Sequence, residues 1–177
     1  MQIAIGLYPG FTALDAIGPY AVFTSVPGGL VTRRVAAEGG PIVDWIRAAH
    51  ETTTYTTSVC TGALLLGAAG VLDGVPATTH WMAYEHLRAH GAQPTEQRVV
   101  IEGKVATAAG VSAGIDLALT LVDRLYGAEV AQAVQLGIEY DPQPPHDTGA
   151  PSKAPPEIRD LVAAVMNEAE ERLAASR

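Results

Sequence analysis

The stretch Tyr55-Thr-Thr-Ser-Val-Cys-Thr-Gly62 decides how this chain folds, because a β-rich run passes directly into a run of small residues. Thr52 to Val59 is rich in β-branched residues and predicts a strand that Cys60 ends. Ala63 to Ala69 predicts a helix directly afterwards. The pattern Ser58-Val-Cys60-Thr-Gly62 is typical of a nucleophile elbow, where a sharp strand-to-helix turn exposes the nucleophile and small flanking residues relieve crowding. We therefore expect Cys60 to be a nucleophile.

Strand and helix patterns alternate on both sides of this turn, which favours an α/β fold with a mostly parallel sheet. Arg98 to Ile101 and Val105 to Ala108 predict a hairpin, and a proline-rich loop from Tyr140 to Pro156 precedes the last helix. The other predicted elements are strands at Gln2 to Leu7, Leu30 to Ala37 and Ala77 to Thr79, and helices at Tyr20 to Val26 with Pro19 in the first turn, from Ile42 to Ala49, from Met82 to Ala89, from near Ser112, and from Glu157 to Leu173.

Composition excludes several classes of protein. A chain of 177 residues with 48% apolar residues suits one domain, residues 1 to 177. With 11 basic against 19 acidic residues and no basic cluster, we expect no nucleic-acid partner. No apolar stretch reaches the roughly 20 residues of a membrane span. A single cysteine allows no internal disulfide, and the first residues do not resemble a signal peptide, which favours the cytoplasm.

Each candidate residue also has a structural interpretation. At a helix start, free N–H groups and the helix dipole are expected to lower the pKa of Cys60, yet a lone cysteine can equally be an inert small hydrophobe. Asp15, just beyond the first strand, suits catalysis or the capping of a helix that starts at Pro19. His80 is more often a hydrogen-bonded structural residue than a base. His86 and His90 share a helix face without a third ligand, so we expect no metal site.

Several stretches resemble the ThiJ/PfpI superfamily, and within it the isocyanide hydratase branch. They are Leu14-Asp-Ala-Ile-Gly-Pro19, the run from Thr56 to Gly70, Ala77-Thr-Thr-His-Trp81, the run from Ala109 to Asp116, and Gln135-Leu-Gly-Ile-Glu-Tyr-Asp-Pro142. They occur in the family's order and span most of the chain. The resemblance implies a flavodoxin-like, doubly wound sheet flanked by helices.

The resemblance also implies an activity. It identifies Cys60 as the nucleophile, Asp15 as the group that handles water and protons, and Thr61 as a neighbour of the reacting centre, with Gly62 and His80 in supporting positions. The implied enzyme hydrates a small isocyanide to an N-substituted formamide through a cysteine thioimidate. It needs no metal or organic cofactor, and the superfamily implies a homodimer.

One part of the family pattern is missing. Relatives carry further strands and a Pro-Gly-Gly loop before the nucleophile strand, whereas Val35-Ala-Ala-Glu-Gly-Gly-Pro41 runs almost directly into the next helix. One expectation is that the strand Leu30 to Ala37 takes the vacant central position, so that Gly39 and Gly40 imitate the lost loop. The other is that a partner subunit fills the gap, because an uncovered strand edge invites pairing.

Two other functions compete with hydration. The chain also resembles the amidotransferase-like half of AraC-type regulators, which predicts a small-molecule or oxidation sensor with little catalysis. Those regulators add a DNA-binding part, for which we expect no room here. Glyoxalase-like or protein-repair chemistry is disfavoured, because those branches usually carry a glutamate near the first helix, where this chain has Asp15.

Overall fold

The computed structural model describes residues 2–8, 11–27, 31–36 and 42–175. Strands and helices alternate in its first half, as the sequence predicts. The elements there are β1 (Gln2–Leu7), α1 (Ala13–Thr24), β2 (Val31–Ala36), α2 (Ile42–Thr52), β3 (Thr56–Val59) and α3 (Gly62–Ala68).

The second half contributes short strands, a hairpin and longer helices. A 3₁₀ turn at Trp81–Ala83 precedes α4, and Gly127, with φ +88°, separates α5 from α6. The elements are β4 (Pro76–Ala77), α4 (Tyr84–Ala89), β5 (Gln93–Pro94), β6 (Val99–Glu102), β7 (Val105–Ala108), α5 (Ala113–Tyr126), α6 (Ala128–Gly137) and α7 (Pro156–Ala175).

Three of the four strand pairings in the described residues are parallel. Strands β1 and β2 pair in parallel, β3 pairs with β7 in parallel, and β4 pairs with β5 in parallel. Strands β6 and β7 form the predicted antiparallel hairpin. The described strands form three separate sheets, β1-β2, β3-β7-β6 and β4-β5. The α/β fold with mostly parallel strands is confirmed.

Helices cover both faces of the three-stranded sheet β3-β7-β6. Alternate residues of a strand point to opposite faces. On β7, Ala106 and Ala108 belong to a core cluster with residues of α1 and α5, whereas Val105 belongs to a second cluster with residues of α2 and α3. Helix α5 approaches β3 closely because Gly114 has no side chain: a Cβ there would lie 3.1 Å from the methyl groups of Val59. This packing fixes the end of β3.

The start of α1 differs from the prediction. The helix begins at Ala13 with Thr12 as its N-cap, so Pro19 lies inside it rather than in its first turn. Asp15 lies in the first turn and caps no helix that starts at Pro19. Helix α1 retains Pro19 because it packs against α5, although proline has no N–H to donate to the carbonyl four residues earlier.

Three other boundaries also shift. Helix α2 extends to Thr52, and the β-branched run contributes only Thr56–Val59 to a strand. Side-chain hydroxyl groups explain the shortened strand. Thr56 Oγ1 lies 2.8 Å from both Thr53 Oγ1 and His50 Nδ1, and this local hydrogen-bond network competes with strand pairing. Strand β4 ends at Ala77, because the N–H of Thr78 donates to the Thr107 hydroxyl and not to a neighbouring strand. The helix predicted from Met82 begins as a 3₁₀ turn.

Strand β2 does not take the central position beside β3. In the described part of the chain β2 pairs with β1 alone, and β3 pairs with β7 alone. The expectation that the strand Leu30 to Ala37 fills the vacancy is therefore wrong. Gly39 and Gly40, expected to imitate the lost loop, lie outside the described residues.

The chain divides into two compact units at Tyr140, and the single-domain expectation stays a prediction. The second unit has no regular structure between Asp141 and Pro155, followed by α7. Within it, Lys153 forms an ion pair with Asp147. No helix in the described ranges is long and apolar enough to cross a bilayer.

Candidate active site

The backbone at Cys60 is held in an uncommon conformation. Its φ is +56°, in the left-handed region that side chains other than glycine rarely adopt. The Cys60 N–H donates to the carbonyls of Ala108 (3.1 Å) and Ala109 (2.8 Å), and the Thr79 hydroxyl donates to the Cys60 carbonyl at 2.9 Å. Hydrogen bonds on both sides therefore keep the turn in place.

Small residues flank this turn, as the elbow pattern requires. A Cβ placed on Gly62 would lie 3.7 Å from Cβ of Ser58, so the residues on either side of Cys60 face each other. Strand β3 ends at Val59 and α3 begins at Gly62, which leaves Cys60 and Thr61 as the turn.

The Cys60 thiol is more enclosed than the sequence predicts. The residue is only 6% exposed, and burial raises the pKa of the thiol, as does the negative charge of the Asp15 carboxylate. The N–H groups of Thr61 and Val111 and the Thr61 hydroxyl lower that pKa by smaller amounts. The expected exposure and lowered pKa are therefore wrong, because burial and a like charge outweigh the nearby donors.

The structure brings Asp15 within electrostatic range of Cys60. Burial raises the pKa of the Asp15 carboxyl to about 6. Its Oδ1 atom is buried and has no hydrogen-bond partner. An unpartnered buried carboxylate oxygen is costly in a purely structural role, and it is available to a substrate or a water molecule.

Tyr8 is a further member of the site that the sequence analysis missed. Tyr8 directly follows β1. Burial raises the pKa of its hydroxyl, and the negative charges of Asp15 and Cys60 raise that pKa further. A hydrogen bond with the Thr61 hydroxyl lowers it. Its position at a strand end could have identified Tyr8 as a site residue, because the same criterion selected Asp15. The run Tyr8-Pro9-Gly10 suggested only a turn.

Thr79 supports the turn from the neighbouring loop, which also carries His80. Nδ1 of His80 accepts the N–H of Met82 at 3.4 Å, and its ring lies beside that of Trp81. A Cβ on Gly110 would lie 3.4 Å from the His80 ring, so the histidine packs against the loop that carries Val111. This placement suits the structural interpretation of His80.

No cluster of three or more His, Cys, Asp and Glu side chains that could hold a metal ion occurs among the described residues. The chemistry available at this site is that of a thiol, a carboxyl with a raised pKa, two hydroxyl groups and backbone N–H donors.

Thr79→Val should destabilise the protein by about 0.5–1.5 kcal/mol, because it removes the hydroxyl donor to the Cys60 carbonyl, which then accepts only the longer hydrogen bond from the Ala63 N–H at 3.4 Å. Thr78→Val is a matched control. Thr78 is equally buried, but its hydroxyl has no partner, so this change should be neutral or stabilising. Denaturant unfolding measures both variants, and equal losses would contradict the role of Thr79.

Comparison with known proteins places this chain in a family. The chain matches the model of the DJ-1/PfpI family over residues 19–124. An isonitrile hydratase of Pseudomonas putida is 38% identical over an alignment of 215 residues, covering 99% of this chain and 91% of that protein. A crystal structure of a ThiJ/PfpI family protein from Pseudomonas syringae matches with a TM-score of 0.83 at 31% identity, covering 94% of this chain and 86% of that chain.

A regulator is also similar over part of its length. The HTH-type transcriptional regulator CdhR of Pseudomonas aeruginosa is 34% identical over 95 residues, covering 52% of this chain and 28% of the regulator.

The alignment with the hydratase also contains positions that this chain lacks. The alignment spans 215 residues, whereas this chain has 177. At least 38 positions of the hydratase, the difference between the two numbers, therefore have no counterpart here. Because the alignment takes in almost the whole chain, those positions are internal. The family match, the relative similar over nearly the full length and the shared fold together establish that this chain belongs to the DJ-1/PfpI family.

Proposed function

We propose that this protein is an isocyanide hydratase that converts an isocyanide and water into an N-substituted formamide, with Cys60 as the nucleophile. The observation that carries the proposal is the pair of acids formed by Asp15, in the first turn of α1, and Cys60, which directly follows β3. Asp15, with a pKa of about 6, loses its proton first, and its charge helps to keep the Cys60 thiol protonated. At neutral pH the pair is therefore a thiol beside a carboxylate, which is a nucleophile beside its base.

In the first step, the Asp15 carboxylate takes the thiol proton while the Cys60 sulfur bonds to the terminal carbon of the isocyanide. Asp15 then gives the proton to the same carbon. The product is a thioimidate, in which the former isocyanide carbon carries one hydrogen, a double bond to nitrogen and a single bond to sulfur. The N–H groups of Thr61 and Val111 stabilise charge on the sulfur during this step.

In the second step, Asp15 activates a water molecule that adds to the thioimidate carbon, and the nitrogen gains a proton. The carbon–sulfur bond then breaks, the thiolate recovers a proton, and the formamide leaves. The two steps sum to one isocyanide and one water consumed for one formamide formed. The buried Oδ1 of Asp15, which has no protein partner, is suited to holding this water.

Tyr8 and Thr61 complete the proposed site. Their hydroxyls interact with each other beside Asp15 and Cys60, so either can hydrogen-bond the substrate nitrogen as it gains a proton. We assign them positioning roles, and His80 and Gly62 support the turn.

The oxidation-sensor alternative finds less support in this geometry. Cysteines that sense oxidants are typically accessible and have low pKa values, whereas Cys60 is buried and burial raises its pKa. The homodimer and the cytoplasmic location stay predictions.

Cys60→Ala should abolish formamide production, because no thioimidate can form. Asp15→Asn should lower kcat by about 10²–10⁴-fold, the usual contribution of a general acid or base. Asp123→Asn, an exposed aspartate on α5, is the matched control and should leave kcat unchanged. The assay follows formamide by mass spectrometry with small alkyl isocyanides, and full activity in Cys60→Ala would refute the proposal.

The pH profile tests the role of Asp15 separately. Because Asp15 must be ionised to take the thiol proton, kcat/KM should fall about tenfold per unit of pH below its pKa of about 6 and reach a plateau above it. A profile that is flat from pH 5 to 8, or one that declines as pH rises through 6, would show that Asp15 is not the base.

A further inference from the structure

A cavity lies between β1 and β3, and it extends from Tyr8 and Asp15 of the candidate active site along both strands. Its volume is about 570 Å³, and its walls include residues 2–6 of β1 and residues 56–59 of β3. The cavity is partly open to solvent, and its volume is in the range of clefts that bind ligands. Two strands bound this cavity, the β1–β3 slot.

Both strands present an unpaired edge to the β1–β3 slot. Within the described ranges β1 pairs on one side only, with β2, and β3 pairs on one side only, with β7. Residues along the length of both strands line the same cavity. The N–H and C=O groups on these edges are therefore available to a further strand, which is the arrangement that invites β-strand addition.

Apolar side chains close the slot above and below the plane of the sheet. On the side of α1 and α5 the walls include Phe23 and Leu121, and on the side of α2 and α3 they include Ile46 and Leu66. A strand that lies between two such layers is buried on both faces. Strands of that kind consist of a continuous apolar run rather than alternating polar and apolar residues.

The chemistry of the slot distinguishes between two kinds of occupant. A small apolar molecule would fill the volume but leave the facing backbone N–H and C=O groups of β1 and β3 without partners. An extended polypeptide satisfies both edges and fills both apolar layers at once. The hydratase relative has at least 38 internal positions that this chain lacks, so a relative of this fold includes chain that is absent here.

We propose that the β1–β3 slot binds an extended, uncharged apolar segment of another polypeptide, which pairs with β1 on one side and β3 on the other. The slot is thus a strand-acceptor site, and the occupied protein has one continuous sheet from β2 to β6. The proposal rests on the two strand edges and not on the hydratase chemistry, and a segment bound there also lies beside Tyr8 and Asp15, which line the slot.

The test uses a synthetic peptide of six valine and isoleucine residues followed by three lysines for solubility. A second peptide has the same side chains with alternate backbone nitrogens methylated, so it can fill the volume but cannot donate hydrogen bonds to both edges. At a concentration about ten times its Kd, the first peptide should slow exchange of protected β1 and β3 amides by about tenfold. The emission of Trp45, which lines the slot, should shift to the blue, and Trp45→Phe should remove that shift.

A pair of protein variants locates the site. Ala49 lines the slot, whereas its neighbour Ala48 on α2 is exposed and does not. Ala49→Phe should weaken peptide binding at least tenfold, about 1.4 kcal/mol, and Ala48→Phe should not change it. Equal binding of the methylated peptide, equal behaviour of the two variants, or no protection of β1 and β3 would each overturn the strand-acceptor proposal.

Discussion

The turn at Cys60 depends on hydrogen bonds that reach it from two other segments. Carbonyls at the end of β7 accept its N–H, and the Thr79 hydroxyl donates to its carbonyl, so a residue with φ +56° stays in place. Because β7 is buried along its whole length and pairs with β3 in register, the position of the sulfur is set by the centre of the sheet. Helix α3 and the loop that carries Val111 are arranged around this point.

Burial then determines the chemistry. It raises the pKa of Cys60 and that of Asp15, and the carboxylate charge raises the thiol pKa further. The order in which the two groups lose their protons follows from these shifts: Asp15 ionises near pH 6 while Cys60 is still a thiol. A resting thiol beside a carboxylate is suited to an addition in which the sulfur proton must end on the substrate carbon, as isocyanide hydration requires.

The sequence predicts what is local. The elbow around Cys60, the hairpin of β6 and β7 and the start of α5 near Ser112 depend on neighbouring residues, and the structure contains all three. It does not predict the direction of the Cys60 shift, which depends on Asp15, 45 positions earlier in the chain, and on burial beneath packed helices. The partner of β2 and the slot between β1 and β3 depend equally on packing between distant segments, which no local pattern contains.

The central claim is that Asp15, rather than Cys60, ionises near neutral pH and that burial of its carboxyl is the cause. The most direct measurement is an NMR titration of the ¹³C-labelled Asp15 carboxyl, assigned by comparison with Asp15→Asn. We expect a midpoint near pH 6, the value to which burial raises the pKa of the carboxyl. A midpoint near the ordinary value for aspartate, about 4, would show that the carboxyl is solvated and that Asp15 is not held near neutral pH by burial.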